Sequence, residues 1–458
     1  MKSGIFVTTV NDKSIYSFLI ETICRKHKIQ NKDLIYIFNF KKNFHFQILI
    51  KFIKIFFSKF FFDTNLFAKL EVENCQIGRH VLAQVFSIYK ANTNVIYFFL
   101  FKIFYLIKGL IIIDYLKKNK DQIRIMYVDH GVYLNGIFFN FFKKKKIFLY
   151  SSNFPKGIFC KNLLNSKKNL RFEDFVRIKK DNTQVTVGEK KFLKKSLDKA
   201  MLKNIEKRIY LPWMVNKIYK NLNHKDIDKY DYLIYAHAFT DGQLLYGYDG
   251  FVTMYDWLCF TIDFLLKRNK KIIIKAHPNF NKYYRHPRSS WEVELFSKVK
   301  KKFNHENSAL FISDPIKNYE ILNLINKKTI LITHHGTPVL EGSFSNFKVI
   351  CSNKTYWSDE YKICNYWSNI DQYKKILKKD YNNLKFGNQN HLYQLGKKLF
   401  LSDFNEFSKN YYLKKYAKFY GMSWIKIMVK NKLLPSFNRK DRRHLALVAQ
   451  LEKCIENI

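Results

Sequence analysis

Glycine and proline, which interrupt helices and strands, are scarce in this sequence, and so is cysteine, which can cross-link a chain. Its 458 residues include 15 glycines, seven prolines and seven cysteines. The cysteines form no Cys-x-x-Cys pair and no Cys/His ligand spacing, which argues against a disulfide framework or a structural zinc site and favours a reducing compartment. The first ten residues lack the apolar core and the cleavage site of a signal peptide. We therefore expect a cytoplasmic chain.

Acidic residues are also few, since 37 Asp and Glu accompany 81 Lys and Arg, giving a formal net charge of +44. The joint excess of Lys, Asn, Ile, Phe and Tyr resembles an A+T-rich coding bias, so much of this charge is expected on a solvated surface. The remainder favours an anionic partner: a nucleotide, an acidic glycan or a lipid surface. A basic nucleic-acid-binding protein is the alternative, but the lysines are spread along the chain and no helix-turn-helix, RNP or finger pattern occurs.

Long apolar runs are interrupted. The most apolar segment, 95–116, contains Lys102, Lys108 and Asp114. Its uninterrupted runs fall far below the ~18 residues that indicate a membrane span. We therefore expect a buried helix here.

Segment 44–62 has an amphipathic pattern. It carries polar residues along one helical stripe: Gln47, Lys51, Lys54 and Ser58. Two interpretations fit, namely a helix half-buried against a sheet, which we favour, and an interfacial helix with snorkelling lysines at a membrane surface.

Strand-like and helix-like runs alternate in two series, one from the N-terminus and one from about Tyr230. This alternation predicts an α/β protein with two Rossmann-like domains facing a cleft (GT-B-like) and a C-terminal helical tail. We place the domains at 1–225 and 226–400, and the tail at 401–458.

Polar turns follow two of the predicted strands in the second series. Strand 329–332 leads into Thr333-His334-His335-Gly336-Thr337, and Pro338 then opens a short predicted helix. Such a turn directs backbone N–H groups and the positive end of a helix dipole at one spot, which suits a phosphate. Strand 271–275 ends in Ala276-His277-Pro278. Polar residues at the carboxyl ends of parallel strands are typical of the ligand-binding edge of an open α/β sheet.

These residues, together with Leu340-Glu341, Val349-Ile350-Cys351 and Tyr356, resemble the capsule polysaccharide synthase and Kdo-transferase-like group of bacterial glycosyltransferases. The resemblance covers about 230–357. The turn His334-His335-Gly336-Thr337 replaces the usual Ser/Thr turn. Further along, Phe347-Lys348-Val349-Ile350 replaces the usual Gly-x-Pro-Val-Ile, so the small residues of that pattern are missing. The resemblance implies a GT-B architecture, with the first domain on the acceptor side and the second binding a nucleotide sugar.

The resemblance implies that His277, in its pair with Pro278, contacts the donor nucleotide phosphate. Hydroxyls and turn N–H groups of the next turn are good donors to phosphate or ribose oxygens. Those candidates are Thr333, His334, His335, Gly336 and Thr337. Glu341 accepts from ribose hydroxyls in this interpretation. In the alternative interpretation it only stabilises its helix, as an acidic residue near the N-terminus that interacts favourably with the helix dipole.

A general base for the acceptor is sought on the first domain. Asp129, with His130 second, ends a predicted strand beside Gly131, and a carboxylate or imidazole suits this role. A turn-forming Asp is an equal interpretation. Asp241 is a further residue that can line the cleft or form a turn.

No pair of aspartates of the Asp-x-Asp type stands out, and the histidines lack a carboxylate or Cys at ligand spacing. We expect no metal and no cofactor. The predicted function is transfer of a sugar from a nucleotide-activated donor, CMP-linked in one version, to a capsule or other surface glycan, free or lipid-linked, at the cytoplasmic membrane face. Alternatives are a teichoic-type glycerophosphotransferase, a nucleotide-sugar epimerase and an inactive homologue.

Overall fold

A computed structural model describes most of two α/β units. It covers residues 5–8, 24, 34–36, 46–129, 133–141, 148–153, 157–162, 177, 180, 184–191, 193, 227–240, 242, 244–277, 280, 289–304, 306–314, 316 and 318–398. The described residues before position 177 form one compact unit, and those from Arg177 onward form the second. The predicted helical tail, 401–458, lies outside the described residues.

The first unit is built on a mostly parallel sheet. Its strands are β1 (Ile5–Thr8), β2 (Leu34–Tyr36), β3 (Ile123–Asp129), β4 (Phe148–Asn153) and β5 (Gly157–Asn162), in the order β2-β1-β3-β4-β5. Only the pairing of β4 with β5, among these strands, is antiparallel.

The helices of the first unit whose bounds the structure describes lie between β2 and β4 in the chain. They are α1 (Phe46–Phe56), α2 (Lys59–Phe62), α3 (Thr64–Ala68), α4 (Ile77–Phe86), α5 (Tyr89–Thr93), α6 (Val95–Asn119) and α7 (Gly136–Phe141). Asn94 caps the N-terminus of α6, and its side chain accepts from the N–H groups of Ile96 and Tyr97 in the first turn.

Segment 44–62 differs from the favoured expectation. It forms two helices, α1 and α2, separated by a bend at Phe57 and Ser58, and α1 packs against α6 rather than against a sheet. Ile48 of α1 is buried, whereas Phe46 and Ile53 are exposed. Six of the twelve Phe, Ile and Leu residues in 46–62 are exposed, so the segment is less covered by the protein than the favoured expectation required.

Helix α6 is long and apolar enough to cross a membrane by length and composition, and no other helix among the described residues is. A third of its most apolar window is nevertheless buried inside the protein. Lys102 is buried there and donates to the carbonyl oxygen of Phe61, with its ammonium 4.2 Å from the ring centroid of Phe67. These contacts are those of a helix packed into the unit.

The second unit contains an entirely parallel sheet in its described part. Its strands are β6 (Tyr232–Tyr235), β7 (Ile272–Lys275), β8 (Ala309–Ile312), β9 (Ile330–Thr333), β10 (Val349–Ser352) and β11 (Asn365–Trp367). Their order is β11-β10-β9-β6-β7-β8. This is the strand order of the doubly wound nucleotide-binding fold. It confirms the predicted fold class.

Helices cover both faces of this sheet. One face packs on α8 (Met254–Leu266), α9 (Ser289–Phe303) and α12 (Ile370–Leu377), and the other on α10 (Asn318–Leu324), α11 (Pro338–Phe344) and α13 (Gln389–Lys397). Alternate strand residues enter the two layers, so Ile272 and Ile274 belong to the first and Ile273 to the second. Burial on both faces explains why these strands are continuous apolar runs.

Candidate functional site

The candidate site lies where the strand order of the second sheet reverses. Strands β6 and β9 are neighbours, and the chain proceeds from β6 toward β8 on one side and from β9 toward β11 on the other. Ligands of open α/β sheets bind outside the carboxyl ends of the strands at such a switch point.

Three histidines occupy equivalent positions beyond three adjacent strands. Tyr235, the last residue of β6, is in register with Lys275 of β7 and with Thr333 of β9. Two residues after each of these comes a histidine. The resulting set, which we call the histidine row, is His277, His237 and His335 in spatial order. His237 lies between the other two, with ring centroids 5.6 Å from His277 and 3.9 Å from His335.

A fourth imidazole connects this row to a buried carboxylate. His334 Nδ1 lies 2.8 Å from His335 Nδ1, so one nitrogen donates and the other accepts. On its other side, His334 Nε2 lies 3.0 Å from Asp249 Oδ2. Asp249 also accepts from Ser352 Oγ and, at 3.3 Å, from the N–H of Phe251. A chain of polar contacts therefore runs from Asp249 through His334 to His335.

Apolar packing fixes the ring of His334. The indoles of Trp257 and Trp367 meet it edge-on, with ring centroids at 5.5 Å and 5.8 Å. Both indoles are fully buried. The ring is therefore held by core side chains on one side and by polar contacts at both nitrogens.

The titration of these groups follows from their surroundings. Burial, with the neighbouring imidazoles of His237, His334 and His277, holds the pKa of His335 well below its usual range. Burial alone would raise the pKa of Asp249, but His334, by charge and hydrogen bonding, and Ser352 lower it overall. At neutral pH the site thus combines a neutral His335 with an ionised Asp249.

A second polar group lies at the same end of the sheet. Tyr235 Oη donates to Asn318 Oδ1 at 2.6 Å, and Asn318 Nδ2 donates to Glu341 Oε2. Lys275 is also buried. Burial lowers its pKa to about 8, although the negative charge of Glu341 acts to raise it. Burial also raises the pKa of Glu341. A buried ammonium and a buried carboxylate thus belong to this second group, and Lys275 ends β7 two residues before His277.

The turn after β9 is closed by its own polar groups. Thr333 Oγ1 donates to the carbonyl oxygen of His335 at 3.1 Å. Gly336 has φ +112°, a conformation that other residues rarely adopt. Pro338 is the first residue of α11, as predicted, and Thr337 is exposed without a capping hydrogen bond from its side chain. Because α11 has seven residues, side chains rather than a long helix dipole dominate this spot.

A loop after β6 is anchored by another buried carboxylate. Glu292 of α9 accepts from the N–H of Phe239 at 2.7 Å, and from the N–H and Oγ1 of Thr240 at 2.9 Å and 2.5 Å. Phe239 stacks on Phe280 with ring centroids 4.9 Å apart. These contacts fix the backbone immediately after His237.

The structure brings several predicted residues together and separates others. Six of them lie at the carboxyl ends of the strands of the second sheet: His277, Thr333, His334, His335, Gly336 and Thr337. Glu341 belongs to the second polar group, where it accepts from Asn318. Asp129 is the last residue of β3 in the first unit, in register with Ser152. Pro278, Asp241 and His130 lie outside the described residues.

The residues of the site that were not identified from the sequence include His237, Asp249, Lys275 and Asn318. A signal for His237 was present, because Ala-His follows β6 as it follows β7, at Ala236 and Ala276. Among the described residues, no group of three or more His, Cys, Asp or Glu side chains has an arrangement that could hold a metal ion.

No family model and no curated protein matches this chain. Solved structures to which this chain is distantly similar include KpsC of Thermosulfurimonas dismutans, a beta Kdo 2,4 transferase. It is 9% identical, with 61% of this chain and 80% of that chain covered and a TM-score of 0.33. UDP-GlcNAc 2-epimerase of Methanocaldococcus jannaschii, in complex with UDP-GlcNAc and UDP, is 16% identical, with 64% and 79% covered and a TM-score of 0.27. Another structure of that epimerase is 13% identical, with 86% and 98% covered and a TM-score of 0.23.

Proposed function

We propose that the second unit binds a nucleotide-activated sugar at the histidine row and that the protein transfers this sugar to a capsule or other surface-glycan acceptor. One observation carries the proposal: His237, His277 and His335 lie side by side at the switch point of a doubly wound sheet. This is where such sheets bind nucleotides.

The chemistry of glycosyl transfer fits these residues. As the bond between the sugar and the phosphate breaks, negative charge develops on the leaving phosphate. Donors fixed in advance around that charge contribute the largest share of catalysis in many enzymes. Imidazole N–H groups of the row can donate to phosphate oxygens, and the buried Lys275 adds a positive charge nearby. Asp249 and His334 orient His335 for this task.

Glu341 has a second role in the proposal. Its carboxylate accepts from Asn318 and can also accept from hydroxyl groups, as a ribose would present. A nucleoside placed over this group would set its phosphate toward the row. CMP is the first nucleotide to test, following the resemblance to Kdo transferases.

The test of donor binding is thermal stabilisation by CMP, CDP, UDP, GDP and ADP, because a ligand that binds the native state raises its stability by mass action. We expect one nucleotide to stabilise the wild-type protein and to lose this effect in His277→Ala. His391→Ala is the matched control. His391 lies on α13, far from the row in the sequence, and its backbone N–H donates to Asn388 and not to a residue of the site. Stabilisation that survives in His277→Ala, or is absent for every nucleotide, would contradict the proposal.

Turnover is tested separately with Asp129, which we retain as the acceptor base, with His130 second. Asp129→Asn should keep the nucleotide effect and lose sugar transfer by at least about a hundredfold, the usual contribution of a general base. Release of free nucleotide that requires an acceptor identifies a transferase. An epimerase would instead change the sugar while it remains on the nucleotide.

A further inference from the structure

Two helices of the first unit expose apolar side chains that a folded protein normally buries. On α1 and the bend that follows, the exposed residues recur at helical spacing: Phe46, Ile50, Ile53 and Phe57. On α6 the exposed residues include Val95, Ile96, Leu100 and Phe104. The last three are spaced four residues apart and so form one stripe.

Aromatic contacts join the two stripes into one surface. Phe57 packs edge-on against Phe56 at 5.2 Å, Phe56 contacts Phe62 at 5.9 Å, and Phe62 stacks on Phe99 of α6 at 6.4 Å between ring centroids. Phe62 is itself exposed. We call this continuous area, from α1 through α2 to the N-terminal half of α6, the phenylalanine face. Contiguous exposed apolar patches of this kind mark interaction sites in soluble proteins.

The phenylalanine face is held rigidly from beneath. Lys102 donates to the carbonyl oxygen of Phe61, and its ammonium lies 4.7 Å from the ring of Phe61 and 4.2 Å from that of Phe67. Ile48 and Leu106 are buried on the inner sides of α1 and α6. The outward apolar residues are therefore presented by anchored helices, and their exposure is a property of the fold.

Lysines border the apolar area in the manner of interfacial helices. Lys54 and Lys59 are exposed on the same segment. Lys108 of α6 reaches over the ring of Phe104 at 4.4 Å. Lys90 of α5 reaches over the ring of Tyr97 of α6 at 5.0 Å. Long lysine stems that lie along aromatic rings while the ammonium stays at the rim are suited to lipid headgroups.

We propose that the phenylalanine face docks the protein on an anionic lipid surface, with α1 and α6 lying along the bilayer and the lysines at headgroup level. Apolar insertion and attraction between lysines and anionic lipids act together in such binding. A second copy of the chain is a poorer occupant, because pairing two such faces brings like charges together. The proposal does not depend on the sugar-transfer reaction.

The experiment is co-flotation of the full-length protein with vesicles of phosphatidylcholine, with and without phosphatidylglycerol. We expect binding to vesicles that contain phosphatidylglycerol, weaker binding to phosphatidylcholine alone, and a decrease with added salt. Phe57→Ser with Ile96→Ser should weaken binding about tenfold or more, because two apolar side chains leave the lipid. Lys54→Glu with Lys59→Glu should remove the dependence on phosphatidylglycerol.

The matched control replaces two exposed apolar residues of the second unit. Val187 is 83% exposed and Leu324 is 48% exposed, against 77% for Phe57 and 68% for Ile96. Val187→Ser with Leu324→Ser should bind vesicles as the wild type does. The proposal is overturned if the wild type ignores both vesicles or if the Phe57 and Ile96 variant binds unchanged. Self-association of the wild type, abolished by that variant and without vesicle binding, would instead identify a second copy as the occupant.

Discussion

His237 and His335 lie against each other at the switch point of the second sheet, with ring centroids 3.9 Å apart. Two imidazoles this close resist simultaneous protonation, because each cation would raise the energy of the other. An anion bound beside the pair, within reach of N–H groups of both rings, would relieve that repulsion. The arrangement is therefore suited to a phosphate and costs stability when the rings are charged without one.

The first prediction concerns the dependence of stability on pH. Burial and the neighbouring imidazoles lower the pKa of His335 in the folded protein. Below about pH 6.5 this histidine is therefore protonated in the unfolded chain and still neutral in the folded protein. The free energy of unfolding should therefore fall as the pH drops from about 6.5 toward the lower folded pKa, and be independent of this group above that range. Urea unfolding of wild type and His335→Gln from pH 8 to pH 5 measures it. The variant should show a shallower decline; parallel curves would mean that His335 is protonated in the fold.

Asp249→Asn should separate the charge of this carboxylate from its shape. The variant leaves His334 Nε2 and Ser352 Oγ without an anionic acceptor in a buried place, which we expect to cost roughly 2 kcal/mol in the free energy of unfolding at pH 7. Because the pKa of Asp249 is lowered on folding, its contribution is present above about pH 4 and lost as the pH falls through the folded pKa.

The measurement is urea unfolding at pH 7 and at about pH 3, below the unfolded pKa of an aspartate, with nucleotide stabilisation as a second readout. Asp256→Asn is the control, since Asp256 accepts from Thr253 at the exposed start of α8. It should change stability by less than about 0.5 kcal/mol. A loss of nucleotide binding with little loss of stability in Asp249→Asn would show that the carboxylate acts mainly by orienting the histidines.

Lys275→Met should reveal whether the buried ammonium serves the fold or a ligand. Burial lowers the pKa of Lys275 from 10.5 to about 8, which represents a cost on the order of 3 kcal/mol at neutral pH. Methionine has a similar shape without the charge, so we expect the variant to be as stable as the wild type or more stable, and to lose nucleotide binding. Above about pH 8 the wild type should recover stability, because the folded protein releases the proton first.

Thermal unfolding with and without nucleotide measures this prediction. Lys271→Met is the control, because Lys271 is exposed at the other end of the same strand. It should alter neither stability nor binding. A marked destabilisation by Lys275→Met would instead show that the attraction between the charges of Lys275 and Glu341 stabilises the fold.

The sequence was sufficient for five of the six strands of the second sheet, and β11 (Asn365–Trp367) was not predicted. Strands such as β7 and β9 are short apolar runs followed by polar turns, and Pro338 marks the start of α11. The position of His277 near the turn of His334 and His335 also followed from the general rule on carboxyl strand ends. These features are local, so a single stretch of residues carries the information.

The remaining residues of the site depend on tertiary structure. His237 joins the row only because β6 inserts between β7 and β9, an order that no local pattern specifies. Asp249 reaches His334 from a loop that precedes α8. The exposure of α1 was missed for a different reason: an amphipathic pattern gives two faces without saying which one the protein covers.

The last prediction tests how Glu292 on α9, in the first helix layer, supports the histidine row. Glu292→Ala removes the acceptor of three hydrogen bonds from Phe239 and Thr240 and leaves their donors buried. We expect a loss of roughly 3 kcal/mol in the free energy of unfolding, together with weaker nucleotide stabilisation, since the backbone after His237 is released. Glu294→Ala is the matched control on the same helix, because Glu294 forms an exposed pair with Lys298 at 3.2 Å that should contribute less than about 0.5 kcal/mol. Equal effects of the two substitutions in urea unfolding would show that the loop after His237 is held by its apolar contacts, such as the stacking of Phe239 on Phe280, and not by the carboxylate.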